Sequence, residues 1–200
     1  MVTALFGLVD YEAFVGYFGL VPFQLTQHLD AHELLTLFTS MFLHGSVPHL
    51  AGNMLYLWIF GDNVEDAMGH LGYLIFYILG GLVASMAHVL SNPFSTLPTV
   101  GASGAIAAVL GAYMMLYPTS RVHTLIPLGY YLRVTLLPAA VVLGVWFLFE
   151  LIQGFVSLGA AGAADMGGVA FWAHIGGFVA GFGLARVFAR PRDVYGGPNY

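Results

Sequence analysis

The chain contains no cysteine and no lysine, and only 8% of its 200 residues are charged. Without cysteine it can have neither a disulfide framework nor a thiolate metal site. A soluble domain carries about a quarter charged residues, whereas this chain is 59% hydrophobic and has a mean hydropathy of +0.84. The composition indicates a polytopic membrane protein. No arginine occurs before Arg121, which argues against a nucleic-acid surface.

Apolar runs divide the chain into membrane segments and predict an all-α helix bundle in a single domain over residues 1–200. Residues 1–9 are too short to span a bilayer and are interpreted as the remnant of a truncated first span. Residues 11–28 suit an interfacial segment, and Asp30 is expected to cap an amphipathic helix that runs to about Leu43. A loop over 157–168 and a tail over 189–200 complete the prediction. The five predicted spans cover residues 49 to 60 or slightly beyond, 71–90, 101–117, 133–153 and 169–188.

The arginines predict the orientation of these spans. They form two groups: Arg121 and Arg133, then Arg186, Arg190 and Arg192. Two spans separate the groups, so both lie on the same side, which the positive-inside rule makes cytoplasmic. The C-terminus is therefore expected in the cytoplasm, and the helix that begins at Gly101 starts at the outer side.

Ser103 lies between Gly101 and Gly104 at the start of a predicted span. The two glycines, three residues apart, share a helix face, and this pattern is typical of close helix packing with the serine as an N-cap. The same position also suits a nucleophile, because free N–H groups in the first turn of a helix can stabilise an oxyanion. Taken alone, Ser103 leaves both interpretations open.

His174 lies in the last span, with Gly177 and Gly181 following on the same face. It could simply hydrogen-bond to a neighbouring helix. It could instead activate a serine, which needs a base within about 3 Å, and the glycines would permit that approach. Glu150 and Asp165 are candidates for a third group only by their proximity in sequence, so we expect a Ser–His dyad.

His49 and Asn53 share one face at the outer start of their span, because they lie four residues apart. One interpretation is that they only satisfy backbone groups of the preceding turn, in which His44 is expected to have an ordering role. Alternatively, both are donors able to bind an oxyanion. Glu65 and its acidic neighbours are interpreted as a solvated cap at the cytoplasmic end of the same span.

A zinc protease is excluded by the sequence. His32 and Glu33 open an H-E-x-x-H pattern, but Thr36 replaces the second histidine. We therefore expect neither a metal nor a cofactor.

Taken together, these residues resemble the rhomboid family of intramembrane serine proteases over residues 33–181. The segments that carry the resemblance are 42–45 (FLHG), 49–55 (HLAGNML), 60–65 (FGDNVE), 101–104 (GASG) and 173–177 (AHIGG) followed by Gly181.

The resemblance implies a site and a substrate class. It makes Ser103 the nucleophile and His174 the general base, and it assigns the oxyanion hole to Asn53, His49 and the Ser103 backbone N–H. It also implies that the loop at 157–168 caps the site, that the helix at 133–153 borders a side entrance, and that substrates are single-pass membrane proteins. The residues with implied structural roles are His44, Glu65, Gly101, Gly104, Gly177 and Gly181.

The chain departs from the family pattern in two ways. Five spans and a remnant stand where the family core has six. Ala107 occupies the position, four residues after the serine, at which many relatives have a tyrosine that stacks under the histidine.

Two alternative functions stay open: a non-catalytic relative that binds membrane clients, and a small channel or transporter with the serine and histidine lining its pore.

Overall fold

The computed structural model describes residues 10–159 and 169–190. The predicted remnant at 1–9, most of the loop at 157–168 with Asp165, and the tail from residue 191 onward lie outside these ranges. The helices are α1 (Tyr11–Phe18), α2 (Pro22–Gln27), α3 (Ala31–Thr39), α4 (Val47–Met68), α5 (His70–Ser91), α6 (Ser103–Leu116), α7 (Ala139–Gly159) and α8 (Phe171–Phe188), with a 3₁₀ turn at Ser40–Phe42. Two strands, β1 (Arg121–Leu128) and β2 (Tyr131–Pro138), separate α6 from α7.

The fold is mostly helical, as the composition predicts. Within the described residues, three helices are long and apolar enough to cross a membrane, namely α5, α7 and α8. Helix α4 has 22 residues, but its last turns carry Asp62, Glu65 and Asp66, and α6 has only 14 residues. The count of five spans therefore stays a prediction.

Helix α6 forms the centre of the bundle and packs against α4, α5, α7 and α8. Every residue from Gly104 to Tyr113 is buried, the pattern of a helix enclosed on all sides. At about 1.5 Å per residue α6 is roughly 21 Å long, shorter than the ~30 Å apolar thickness of a bilayer. Its first residue, Ser103, is therefore suited to lie below a membrane surface.

Side chains cap two of the helices, and the first of these caps confirms a sequence expectation. The side chain of Asp30 accepts a hydrogen bond from the Glu33 N–H and caps α3. Ser46 caps α4 by accepting from the His49 N–H, with Pro48 in the first turn. This second cap fixes where α4 begins and thus where His49 and Asn53 lie.

The predicted end of α4 was wrong. The helix does not close near Phe60 but continues through the polar residues to Met68, and it stops only at Gly69, whose φ is +74°. Polar residues are tolerated because Asp62, Asn63 and Asp66 lie on the exposed side of the helix.

The span predicted over residues 133–153 also begins too early. Arg133 lies in β2, which pairs antiparallel with β1 in a hairpin whose register runs from Arg121 opposite Pro138 to Leu128 opposite Tyr131. Gly129, with φ +63°, provides the two-residue turn. Alternating β-branched residues such as Val122 and Thr124 favour a strand, and α7 starts directly after Pro138.

Candidate active site

Ser103 and His174 are 71 residues apart in sequence and lie in contact. Ser103 is the first residue of α6, and His174 lies in the first turn of α8. The Oγ of Ser103 is 2.8 Å from Nε2 of His174, which is hydrogen-bond distance for a nucleophile and its base. The structure thus brings together the two residues that the sequence analysis singled out.

Glycines make this contact possible, because α6 and α8 meet backbone to backbone. A Cβ built on Gly177 would collide with the carbonyl oxygen of Gly104, and one on Gly181 would collide with that of Ala108. A Cβ on Gly104 would lie 2.7 Å from Cβ of Ala84 on α5. These three glycines set the spacing of the helices that carry Ser103 and His174.

Gly101 shapes the approach to Ser103. Its φ is +137°, a conformation that residues with a side chain rarely adopt. A Cβ there would also lie 2.9 Å from the His49 ring. The Gly101 N–H donates to the Ser40 carbonyl oxygen at 2.9 Å, so the loop before α6 is tied to the 3₁₀ turn.

Asn53 and His49 face the same cavity as Ser103 and His174. This cavity has a volume of about 520 Å³. Asn53 is 7% exposed, and its Nδ2 is buried without a hydrogen-bond partner among the described residues. A buried amide donor without a partner is costly, so this group is suited to bind an oxygen that arrives with a substrate.

The expected dyad is incomplete, because a carboxylate also contacts the histidine. Oε2 of Glu150, on α7, is 2.8 Å from Nδ1 of His174. Glu150 is 7% exposed. The sequence held a signal that the analysis did not use: Glu150 is the only charged residue of α7, and ionisable residues in apolar helices commonly mark functional sites.

The ring of His174 also has an aromatic neighbour from α7. Trp146 lies one turn before Glu150, and its ring centroid is 6.1 Å from that of His174. Ala107, at the position where relatives carry a tyrosine, is 1% exposed and lies against Gly177. The histidine is therefore contacted by α7 on the side away from Ser103.

His44 lies in the turn before α4, and its ordering role there stays a prediction. Its carbonyl oxygen accepts a hydrogen bond from Tyr11 Oη at 2.9 Å, and its ring meets the His49 ring at a centroid distance of 5.3 Å. Burial, together with the neighbouring His49, lowers the pKa of His44 below its usual value of 6.5.

Glu65 lies far from the serine. Its Oε1 is 2.7 Å from Nδ1 of the exposed His70. It is twelve residues beyond Asn53 on α4, roughly 18 Å along the helix axis, so it does not belong to the cavity around Ser103.

One group of potential metal ligands occurs among the described residues. Asp30, His32 and Glu33 bring ligand atoms within 4.8 Å of one another at the start of α3. None of the three lines the cavity that holds Ser103.

Comparison with known proteins gives one family. The Rhomboid domain model matches residues 31–191. The chain is 31% identical over 160 residues to the Rhomboid protease GluP of Bacillus subtilis (strain 168), covering 80% of this chain and 27% of that protein. It is also 31% identical over 169 residues to the RHOMBOID-like protein 5 of Arabidopsis thaliana, covering 84% of this chain and 48% of that protein.

A third relative belongs to mitochondria. Over 152 residues the chain is 29% identical to the Rhomboid protein 1, mitochondrial, of Saccharomyces cerevisiae (strain ATCC 204508 / S288c), covering 74% of this chain and 40% of that protein. The chain thus spans about a quarter to a half of the length of these relatives.

Proposed function

The chain belongs to the rhomboid family, and we propose that it is an intramembrane serine endopeptidase in which Ser103 is the nucleophile and His174 the general base. The observation that carries the proposal is the 2.8 Å contact between Ser103 Oγ and His174 Nε2. The contact lies in a cavity of about 520 Å³, which both residues line.

Acylation follows from this contact. Ser103 Oγ bonds to the carbonyl carbon of the scissile peptide while its proton passes to Nε2 of His174. The tetrahedral intermediate then breaks its C–N bond, and His174 returns the proton to the departing amine. Water hydrolyses the resulting ester: His174 takes the proton of the water, the C–Oγ bond breaks, and Ser103 regains its hydroxyl.

The oxyanion of the intermediate needs donors that are already in place. The unpartnered Nδ2 of Asn53 and the lining residue His49 provide side-chain donors at the cavity. The Ser103 backbone N–H belongs to the first turn of α6, where N–H groups have no partner within the helix. We assign the oxyanion hole to these three groups.

Substrates are proposed to be single-pass membrane proteins, consistent with the family and with a site carried by apolar helices. The arginines at 121, 133, 186 and 190 favour a cytoplasmic C-terminus. The site would then open to the outer side, and the bilayer itself would present the substrate. Neither a metal nor a cofactor is needed for the steps above.

The test is cleavage of a fluorescent single-pass helical substrate by the purified chain in liposomes. The parent should release a fragment, whereas Ser103→Ala and His174→Ala should lose at least about 1,000-fold in rate. Ser157→Ala is the matched control, because among the described residues its Oγ donates to the Gly154 carbonyl within α7. Substrate binding without cleavage by the parent would contradict the proposal and favour a client-binding protein.

A further inference from the structure

Glu150 is the second side chain in contact with His174, and its geometry completes a chain of three groups. Ser103 Oγ, the two ring nitrogens of His174 and Glu150 Oε2 are joined by two hydrogen bonds of 2.8 Å each. The three side chains come from α6, α8 and α7, so the arrangement exists only when all three helices are assembled. From this geometry we propose that Glu150 is a positioning residue that makes the Ser–His pair a triad. The inference rests on the proposed function of that pair.

The contact decides which ring nitrogen of His174 carries the proton. A carboxylate can only accept hydrogen bonds, so Nδ1 of His174 must donate to Glu150. In the neutral imidazole Nε2 then has no proton and can accept the one from Ser103 Oγ. A general base requires this tautomer. In the other tautomer Nε2 carries the proton and cannot accept the one from Ser103 Oγ.

The carboxylate also balances charge during the reaction. When His174 takes the proton from Ser103, a cation and an oxyanion form in a site built largely from apolar helices. Glu150 is 7% exposed, and its side chain meets that of His174 directly. A negative charge 2.8 Å from Nδ1 stabilises the imidazolium as it forms.

The position of Glu150 argues against an accidental contact. It is the one charged residue of a 21-residue helix that is predominantly apolar, where an ionised side chain is expensive unless it has a partner. Trp146, one turn earlier on α7, packs near the same imidazole ring. Two residues of α7, one turn apart, thus contact His174.

The test measures the reaction of the full chain with a fluorophosphonate, in which the Ser103 Oγ–P bond forms, fluoride leaves and His174 takes the proton. Glu150→Gln keeps the size of the side chain and removes its charge. We expect its maximal inactivation rate to fall at least about 100-fold, while the inhibitor concentration at half-maximal rate changes less than about threefold. A rate within threefold of the parent would overturn the proposal.

The control is Glu12→Gln, which makes the same exchange at an exposed glutamate in the first turn of α1. It should label at the parent rate. If the parent labels and Glu150→Gln labels equally well, only the role of Glu150 fails. If the parent and Ser103→Ala label equally, the proposed function itself fails.

A second measurement tests the proposal even if Glu150→Gln does not fold, because it uses the parent chain. The ¹⁵N spectrum of the parent with labelled histidine, with the His174 signal identified by its loss in His174→Ala, should show a protonated Nδ1 and an unprotonated Nε2. Protonation at Nε2 alone would overturn the proposal.

Discussion

Replacing Gly177 by alanine should separate α6 from α8 and disable the site. A Cβ at this position meets the carbonyl oxygen of Gly104, which is backbone and cannot swing away. Restoring an ordinary C···O separation of about 3.3 Å requires the helices to move apart by roughly 1 Å. Ser103 directly precedes Gly104, and His174 lies one turn before Gly177. Moving the helices apart at Gly104 and Gly177 therefore lengthens the distance between Ser103 Oγ and His174 Nε2.

Two opposing effects determine how much Gly177→Ala changes the free energy of unfolding. Overpacking against an unyielding neighbour costs about 1–3 kcal/mol, while alanine in place of a helical glycine gains about 0.5–1 kcal/mol. We therefore expect Gly177→Ala to lower the free energy of unfolding by about 1 kcal/mol. A Ser103–His174 distance lengthened by about 1 Å should reduce the rate of fluorophosphonate labelling about 100-fold.

The control lies on the same helix. Gly183 is exposed, and a Cβ there meets nothing within 4 Å, so Gly183→Ala should be neutral or stabilising by about 0.5 kcal/mol and should label like the parent. Unfolding in mixed detergent micelles and labelling rates would be measured for both variants. The reasoning is refuted if Gly177→Ala is as stable and reactive as Gly183→Ala.

Two further predictions concern residues that line or flank the cavity. Asn53→Ala should slow cleavage of a membrane-helix substrate about 100- to 1,000-fold. Stability should not fall, because the substitution removes a buried donor that has no partner among the described residues. Cleavage rates and melting temperatures of the parent and the variant check this, and a large loss of stability would contradict it. His44 has a pKa lowered by burial and by His49, so the unfolded chain takes up its proton first on acidification, and stability should fall as the pH drops below about 6.5. Melting of His44→Gln across pH 5–8 should show a flatter profile, and an unchanged slope would exclude His44 as the cause.

Much of the fold could be read from the sequence because membrane segments leave long apolar runs. The bounds of α5, α6 and α8 differ from the predicted ones by at most two residues. The N-terminus of α3 was also predictable, since Asp30 is a favoured capping residue and its side chain does cap that helix.

The hairpin at β1 and β2 could not be read in the same way. Between Arg133 and the start of α7 only Thr135 is polar, so hydropathy alone merges strand and helix. Only Gly129 and Pro138 mark the turn and the change of structure, and neither signal outweighs an apolar run when spans are assigned by composition.

The candidate site also contains residues that the sequence identifies and one whose contact it does not reveal. Ser103, His174 and their glycines were identified because small residues at helical spacing indicate where two helices approach closely. Glu150 was passed over because a contact between α7 and α8 depends on the relative rotation of the helices, which no local pattern determines. An isolated charge in an apolar helix indicates that a partner exists but does not say which residue it is.

The most direct test of the central claim is to treat the full chain in liposomes with a fluorophosphonate and to locate the adduct by mass spectrometry. The account predicts a single adduct, on Ser103, which is absent in Ser103→Ala and strongly reduced in His174→Ala. An adduct at another residue, or equal labelling of the parent and Ser103→Ala, would contradict the assignment of Ser103 as the nucleophile.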